Sequence, residues 1–449
     1  MKTNSDEMHN QEMLLKKIRQ SSEVFDKLAN SYEVWVPESG WLAGRRNRDK
    51  NDSKRKYLDD WTMLSFVFEI DNCHYPMADS YLQYGIDGVI RIAAETLETL
   101  QNNLQSKLQD QTQPDIAYLE SLLHVWKRFR QFVADHMVLA LECAKQETSD
   151  TKKKRYEKIA KICQNVTINK PNTFCEALQL FWFTYLFRSP FGAGCIGRLD
   201  QLLYPFYKHD CEMGIWDQQE AEKMLEEMFT RMNEINTGDT LRNLMLSGQD
   251  AKGNDQTNEI TYLILVAYEN TGGSEPHLNV RFHEKTPKKL RDNCINMLSS
   301  GSGQPTIYFD EAVLPAMEKA GICHEDACQY ANDGCTETVI AGKSAIVFWQ
   351  YEMVKTVELT LFGGNENPCV KPVSMKKNSI HGADFVPKTN LLIGIESKKP
   401  QELTTFSEFL SAFFEQMDHQ LDHYFLMIKQ KMQEDQTVSI TSPFTAGNF

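Results

Sequence analysis

Between Arg242 and Gly321 the chain alternates two hydrophobic periods, and that alternation limits the fold more than any other feature. "RNLMLSGQD" reads as a strand running into a loop. "DQTNEITYLILVAYENT" has helical spacing, with Asp255 or Thr257 as its cap. "HLNVRFH" alternates strictly: Leu278, Val280 and Phe282 fall on one face, Asn279 and Arg281 on the other. "TPKKLRDNCINMLSSG" is a helix with Thr286 as N-cap, Pro287 in its first turn and Gly301 past its end. "QPTIYFD" is a strand again, and "EAVLPAMEKAG" a helix ending at Gly321. Strand, helix, strand, helix predicts a parallel sheet with right-handed crossovers. The polar residues on one strand face suggest a barrel or a lined pocket, in one large α/β domain.

Upstream the pattern is helical. Gly88–Leu108 and Tyr118–Gln146 carry apolar residues at helical spacing. "NKPNTFCEALQLFWFTYLF" reads as a turn followed by a buried helix, with Thr173 and Glu176 forming a capping box. The chain has 62 acidic against 48 basic residues, a net charge of −14, which disfavours nonspecific nucleic-acid binding. The basic runs Gly44–Lys56 and Lys152–Arg155 are short and read as solvated faces. The 11 cysteines are irregularly spaced, the first residues lack a signal-peptide core and no stretch is apolar enough to span a bilayer, so the expected setting is reducing and cytoplasmic, with free thiols.

The chemistry concentrates in "YANDGCTETVIAGKSA", Tyr330–Ala345. Cys335 follows a glycine, and Glu337 stands two residues on. In extended backbone residues i and i+2 face the same side, so thiol and carboxylate can reach one substrate. By itself the cysteine reads first as a small buried hydrophobe. No cationic neighbour adjoins it, which disfavours a hydrolytic thiolate. The apolar run that follows predicts a loop dipping into the interior. "DHQLDH" sets His419 and His423 one helical turn apart but has Gln420 where a zincin has glutamate, and "CHEDAC" has no partner pair. No metal site is expected.

With these residues in view, the chain resembles the glycyl radical enzymes of the pyruvate formate-lyase and glycerol (diol) dehydratase superfamily. "NDGCTETVIAGKSA" is similar to the family's cysteine loop, with Cys335 and Glu337 in the catalytic places. "NTFCEALQLFWF", "GRLDQLLYPFY", "LSGQDAKGNDQTNEITYLILVA", "PHLNVRFHEKTPKKL", "GSGQPTIYFDEAVLPAMEKAGI" and "EDACQYA" occur in family order, and "CHYPMADSYLQYGIDGVI" resembles an early family segment. The resemblance runs from about residue 65 to about 445. It implies a pyruvate formate-lyase-like catalytic domain over 1–449, with a helical region to about 190 and α/β barrel strands over about 190–449. The implied fold is part of a ten-stranded barrel of parallel half-sheets wrapped by helices. The implied chemistry is hydrogen-atom abstraction by a thiyl radical at Cys335, with Glu337 as general base and His74 as general acid, leading to elimination or carbon–heteroatom or C–C cleavage in anaerobic metabolism. No cofactor would bind directly. A glycyl radical would be installed by a separate S-adenosylmethionine iron–sulfur activase, and a complete enzyme would be a homodimer.

Some positions depart from the family. Pyruvate formate-lyase proper has two adjacent cysteines, whereas Thr336 follows Cys335, so a formate C-acetyltransferase-like activity is the alternative rather than the first expectation. A serine-bearing family motif reads "FGAGCIGR", which puts Cys195 in the substrate region. Phe348 and Trp349 stand near a diol-binding acid position and would form apolar pocket walls. No "RVxGY"-type glycyl loop occurs, which suggests the middle of such an enzyme, truncated or encoded in pieces and inactive alone, with another chain as one source of the glycyl domain. Rival readings are a non-catalytic remnant, a partner-dependent subunit, or a ligand-binding α/β protein with an inert cysteine.

Overall fold

The structure is a computed structural model that describes residues 15–16, 18–19, 22–23, 25–45, 79–104, 113–188, 194–234, 242–334, 337–340, 343, 353–365, 394–398 and 400–435. Residues 1–345 with 440–449 form one compact unit and 346–439 another.

The first unit begins with helices. α1 (Asp79–Leu104), α2 (Gln113–Gln146) and α3 (Asp150–Ile168) pack on one another, and α4 (Phe174–Arg188) packs on both α1 and α3. As expected, α4 is a buried helix: Phe181, Trp182, Phe183, Tyr185, Leu186 and Phe187 are fully buried. Side chains of this size each contribute about 1.5–3 kcal/mol on leaving water, so α4 anchors the helical layer. Phe187 stacks on Phe25 at 5.1 Å and meets Phe132 edge-on at 4.9 Å. The capping box at its start is present, with Glu176 N donating to Thr173 Oγ1 at 3.3 Å and Thr173 N to Glu176 Oε2 at 3.3 Å.

The parallel sheet follows. β1 (Gly194–Gly197), β2 (Arg242–Ser247), β3 (His277–Phe282) and β4 (Thr306–Phe309) lie side by side in chain order, every pair parallel. Helices α5 (Leu199–Met213), α6 (Gln218–Asn233), α7 (Glu259–Thr271) and α8 (Lys288–Ser299) fall between the strands in sequence, α5 packs on β2, and α9 (Asp310–Lys319) follows β4. All six residues of β2 are buried, as befits a parallel strand covered on both faces.

Two expected caps are displaced. Asn258, not Asp255 or Thr257, caps α7: its side chain accepts from Thr261 N at 3.2 Å. Asp255 is engaged instead by the His283 ring at 2.9 Å and by the Thr257 hydroxyl at 2.9 Å. Pro287 takes the N-cap place of α8, because the Thr286 hydroxyl accepts from His283 N at 2.7 Å.

A short helix, α10 (His324–Ala327), leads to an antiparallel pair, β5 (Ala331–Asp333) and β6 (Glu337–Val339). β5 packs against β1 and β2 and is buried throughout. The run expected to be a plain interior loop is therefore framed by a hairpin.

The second unit holds α11 (Met353–Leu361) and α12 (Phe406–Asp435), packed on each other. The apolar run reaching into α11 was expected to be buried. Among its described residues Thr356, Leu359 and Thr360 are buried, but Met353 and Val354 are 57% and 84% exposed. The helix buries a face at positions 356, 359 and 360, and the Thr356 hydroxyl donates to Gln420 Oε1 of α12 at 3.2 Å.

Candidate active site

Asp333 of β5 pairs with Glu337 of β6, so Gly334, Cys335 and Thr336 connect the arms of the hairpin. Glu337 and Cys195 are the expected site residues that the structure describes; Cys335, His74, Phe348 and Trp349 lie outside the described residues. Glu337 is half-buried. Gly334 has φ +50, and a Cβ there would come within 2.8 Å of Glu337 Oε2, so the carboxylate occupies space that only a glycine leaves open. Cys195 is fully buried on β1 and pairs in register with Asn243 of β2.

The polar face of the sheet meets the hairpin. Asn243 Nδ2 donates to Gly334 O at 2.6 Å, and Asn279 Nδ2 of β3 donates to Asn243 Oδ1 at 2.8 Å. One strand pair further along, Arg281 holds the approach to β5. Its Nη1 donates to Cys328 O at 2.9 Å and Tyr330 O at 3.3 Å, while Nε and Nη2 donate to the two carboxylate oxygens of Asp310 at 2.9 and 2.8 Å. Both members of this ion pair are fully buried. The guanidinium lies 4.0 Å from the Tyr330 ring, whose hydroxyl donates to Asp310 Oδ1 at 3.0 Å. Arg198, just after β1, adds bonds from Nη2 to Ser247 O at 2.8 Å and from Nη1 to Cys328 O at 3.3 Å. Burial lowers its guanidinium to about 10, which leaves it charged at neutral pH.

Sequence spacing alone gave no sign of this network, although Asn279 and Arg281 had been assigned to the right face. Its floor explains the "LSGQD" run. Asp200 Oδ2 accepts from Ser247 N at 2.8 Å and from the Thr261 hydroxyl at 2.7 Å, tying the first turn of α5 to the end of β2 and to α7. Burial raises the Asp200 carboxyl above its usual range, against the opposing Arg198 charge. Gly248 has φ +100, and a Cβ there would sit 2.5 Å from the Arg281 guanidinium.

At the rim, Tyr308 of β4 is half-buried. Burial raises its phenol, and the Glu337 carboxylate adds to that rise. The Asn332 carboxamide of β5 is fully buried and makes no hydrogen bond of normal length, but lies near enough to Tyr308 to oppose the shift. The Tyr308 phenol thus lies within electrostatic reach of Glu337 and Asn332. No cluster of metal-binding side chains occurs among the described residues, and none of their helices is long and apolar enough to cross a membrane.

The pyruvate formate lyase-like family profile matches residues 68–439. Among curated proteins, the trans-4-hydroxy-L-proline dehydratase of Clostridioides difficile is 32% identical over 301 residues, covering 63% of this chain and 36% of the relative. An isethionate sulfite-lyase of Desulfovibrio desulfuricans is 28% identical over 362 residues, covering 75% of this chain and 40% of the relative. The chain thus spans little more than a third of the length of these relatives. Among solved structures, the glycerol-bound B12-independent glycerol dehydratase from Clostridium butyricum aligns with a TM-score of 0.70 at 22% identity, over 90% of this chain and 58% of that one. The hydroxyproline dehydratase of Clostridioides difficile aligns with a TM-score of 0.63 at 27% identity, over 81% and 44%. The fold is that of these enzymes, and the chain belongs to the pyruvate formate lyase-like family.

Proposed function

We propose that this chain carries the cysteine hairpin of a glycyl radical dehydratase or lyase acting on a small hydroxylated or sulfonated molecule. The observation that carries the reading is a hairpin with Glu337 on one arm and Cys335 in its connection, set against a sheet face whose buried polar groups hold its backbone. The named relatives, dehydratases and sulfite-lyases, support the reaction class.

In this reading a thiyl radical on Cys335 takes a hydrogen atom from a substrate C–H bond, forming S–H and leaving a carbon radical. Glu337 accepts the proton of a hydroxyl on that carbon. The adjacent group then departs with its electron pair, and His74 supplies a proton where the leaving group is a hydroxyl. The product radical recovers a hydrogen atom from the Cys335 thiol, so the cycle is redox-neutral. The buried β5 arm suits a radical that must be kept from water and oxygen. A glycyl radical installed by an S-adenosylmethionine iron–sulfur activase would supply the unpaired electron. Cys195, buried on β1, is a proposed pocket wall.

Ligand protection tests the reading. Iodoacetamide modification of Cys335, followed by peptide mass spectrometry, is measured with trans-4-hydroxy-L-proline, isethionate, (2S)-3-sulfopropanediol or glycerol. One of these is expected to slow modification at Cys335 while leaving the exposed Cys323 unchanged. Equal rates with all four would count against a substrate site at the hairpin.

A second reading, a subunit active only with a partner polypeptide, draws support from β4. Among the described residues β4 pairs with β3 alone, and Phe309 is 56% exposed. Turnover that appears only when a second polypeptide is added would select it.

A further inference from the structure

We infer that Asn279 and Asn243 form a directional relay that orients the peptide bond leading into Cys335; this rests on the reading of Cys335 given above. A carboxamide has a donating and an accepting end, and a neighbour must decide which way it points. Asn279 Nδ2 lies 3.3 Å from the carbonyl oxygen of His277, a group that can only accept. That contact fixes the donating end of Asn279, which also gives a hydrogen bond to Asn243 Oδ1 at 2.8 Å. Asn243 is thereby committed to accept on that side, and its Nδ2 is left to donate to Gly334 O at 2.6 Å. Both carboxamides are only 2% exposed, so water does not compete for either.

The peptide bond from Gly334 to Cys335 is planar, and holding its oxygen holds the plane from which Cys335 starts. The other end of β5 is held independently, by Arg281 on Tyr330 O and by both arginines on Cys328 O. The guanidinium clamps secure the hairpin base; the asparagine relay secures its tip. Asn243 and Asn279 are positioning residues in this account, acting on the hairpin backbone.

The test compares the full 449-residue wild-type chain with Asn243→Leu and Asn279→Leu. Iodoacetamide modification is followed at Cys335 and, as internal references, at the buried Cys163 and Cys175. Asn243→Leu removes the donor to Gly334 and is expected to speed Cys335 modification about tenfold, the weight of one buried hydrogen bond on a local opening. Asn279→Leu keeps the Asn243 donor to Gly334 O and removes only the bond that steadies Asn243 Oδ1, so a smaller rise, about threefold, is expected. Cys163 and Cys175 should keep their wild-type rates. An unchanged Cys335 rate in Asn243→Leu, or equal acceleration at all three cysteines, overturns the relay. If Asn243→Leu fails to fold, Asn279→Leu carries the test with the same two outcomes. The assay needs no radical, so failure of the relay leaves the thiyl reading standing, and Cys335→Ser turnover tests that reading separately.

Discussion

Asp310→Asn is the sharpest test of how the hairpin is held. Asp310 accepts two bonds from Arg281 and one from Tyr330, at 2.9, 2.8 and 3.0 Å, with both members of the ion pair fully buried. The amide is nearly isosteric, so shape is kept while the charge is lost. Removing one partner of a buried pair costs about 3–5 kcal/mol, because the other charge is left uncompensated. Arg281 would retain its bonds to two carbonyls and its contact with the Tyr330 ring, which argues for the lower end, about 3 kcal/mol. That corresponds to a shift of about two orders of magnitude in the opening equilibrium. The assay is amide hydrogen exchange over Leu278–Arg281 and Ala331–Asp333, where protection should fall by that factor while α2 and α3 keep theirs. Tyr330→Phe removes a single bond to the carboxylate and should cost about 1.5 kcal/mol, roughly tenfold in protection. Equal effects of the two substitutions, or a few-fold change in Asp310→Asn, would refute the assignment of Arg281 and Asp310 as the clamp.

His136 is buried among Phe132 and Phe183, and burial lowers its imidazole from 6.5 to about 4. The folded state therefore resists a proton that the unfolded chain takes up. Stability should fall by roughly 3 kcal/mol as pH drops from above 6.5 towards 4, and urea titrations of His136→Leu should lack that contribution. At the start of α7, Asn258→Ala should cost about 1 kcal/mol in urea unfolding, more than Gln256→Ala nearby, because only Asn258 caps the helix. Thr173→Ala should likewise cost about 1 kcal/mol by removing one half of the capping box on α4.

Much of the architecture is legible in local pattern. The period of two in β3 is enough to separate Leu278 and Val280 from Asn279 and Arg281, and the second pair is polar in the structure too: Arg281 holds the carbonyls leading into β5, and Asn279 holds Asn243, which donates to Gly334 O. The buried α4 follows from its nearly continuous apolar run. The misassigned caps have a common cause: Asp255 and Thr286 are drawn away by His283, which in the first case lies 28 residues along the chain, and composition carries no trace of such a competitor. The clamp was hidden for the same reason. Asp310 lies 29 residues from Arg281 and Tyr330 lies 49. β5 and β6, at three residues each, are too short for any periodicity to appear. Cys335 and Glu337 stand out by their spacing and gain catalytic roles only through the motif resemblance, and of that pair the structure describes Glu337 alone.

The central claim is that Cys335 carries the radical chemistry. Its most direct test is turnover after anaerobic activation by the S-adenosylmethionine iron–sulfur activase, in an assembly containing this chain and a glycyl radical, with a compound that protects Cys335 as substrate. Cys335→Ser should abolish product formation while the glycyl signal in electron paramagnetic resonance persists, since serine cannot form the thiyl radical. Product formation by Cys335→Ser at the wild-type rate would contradict the claim.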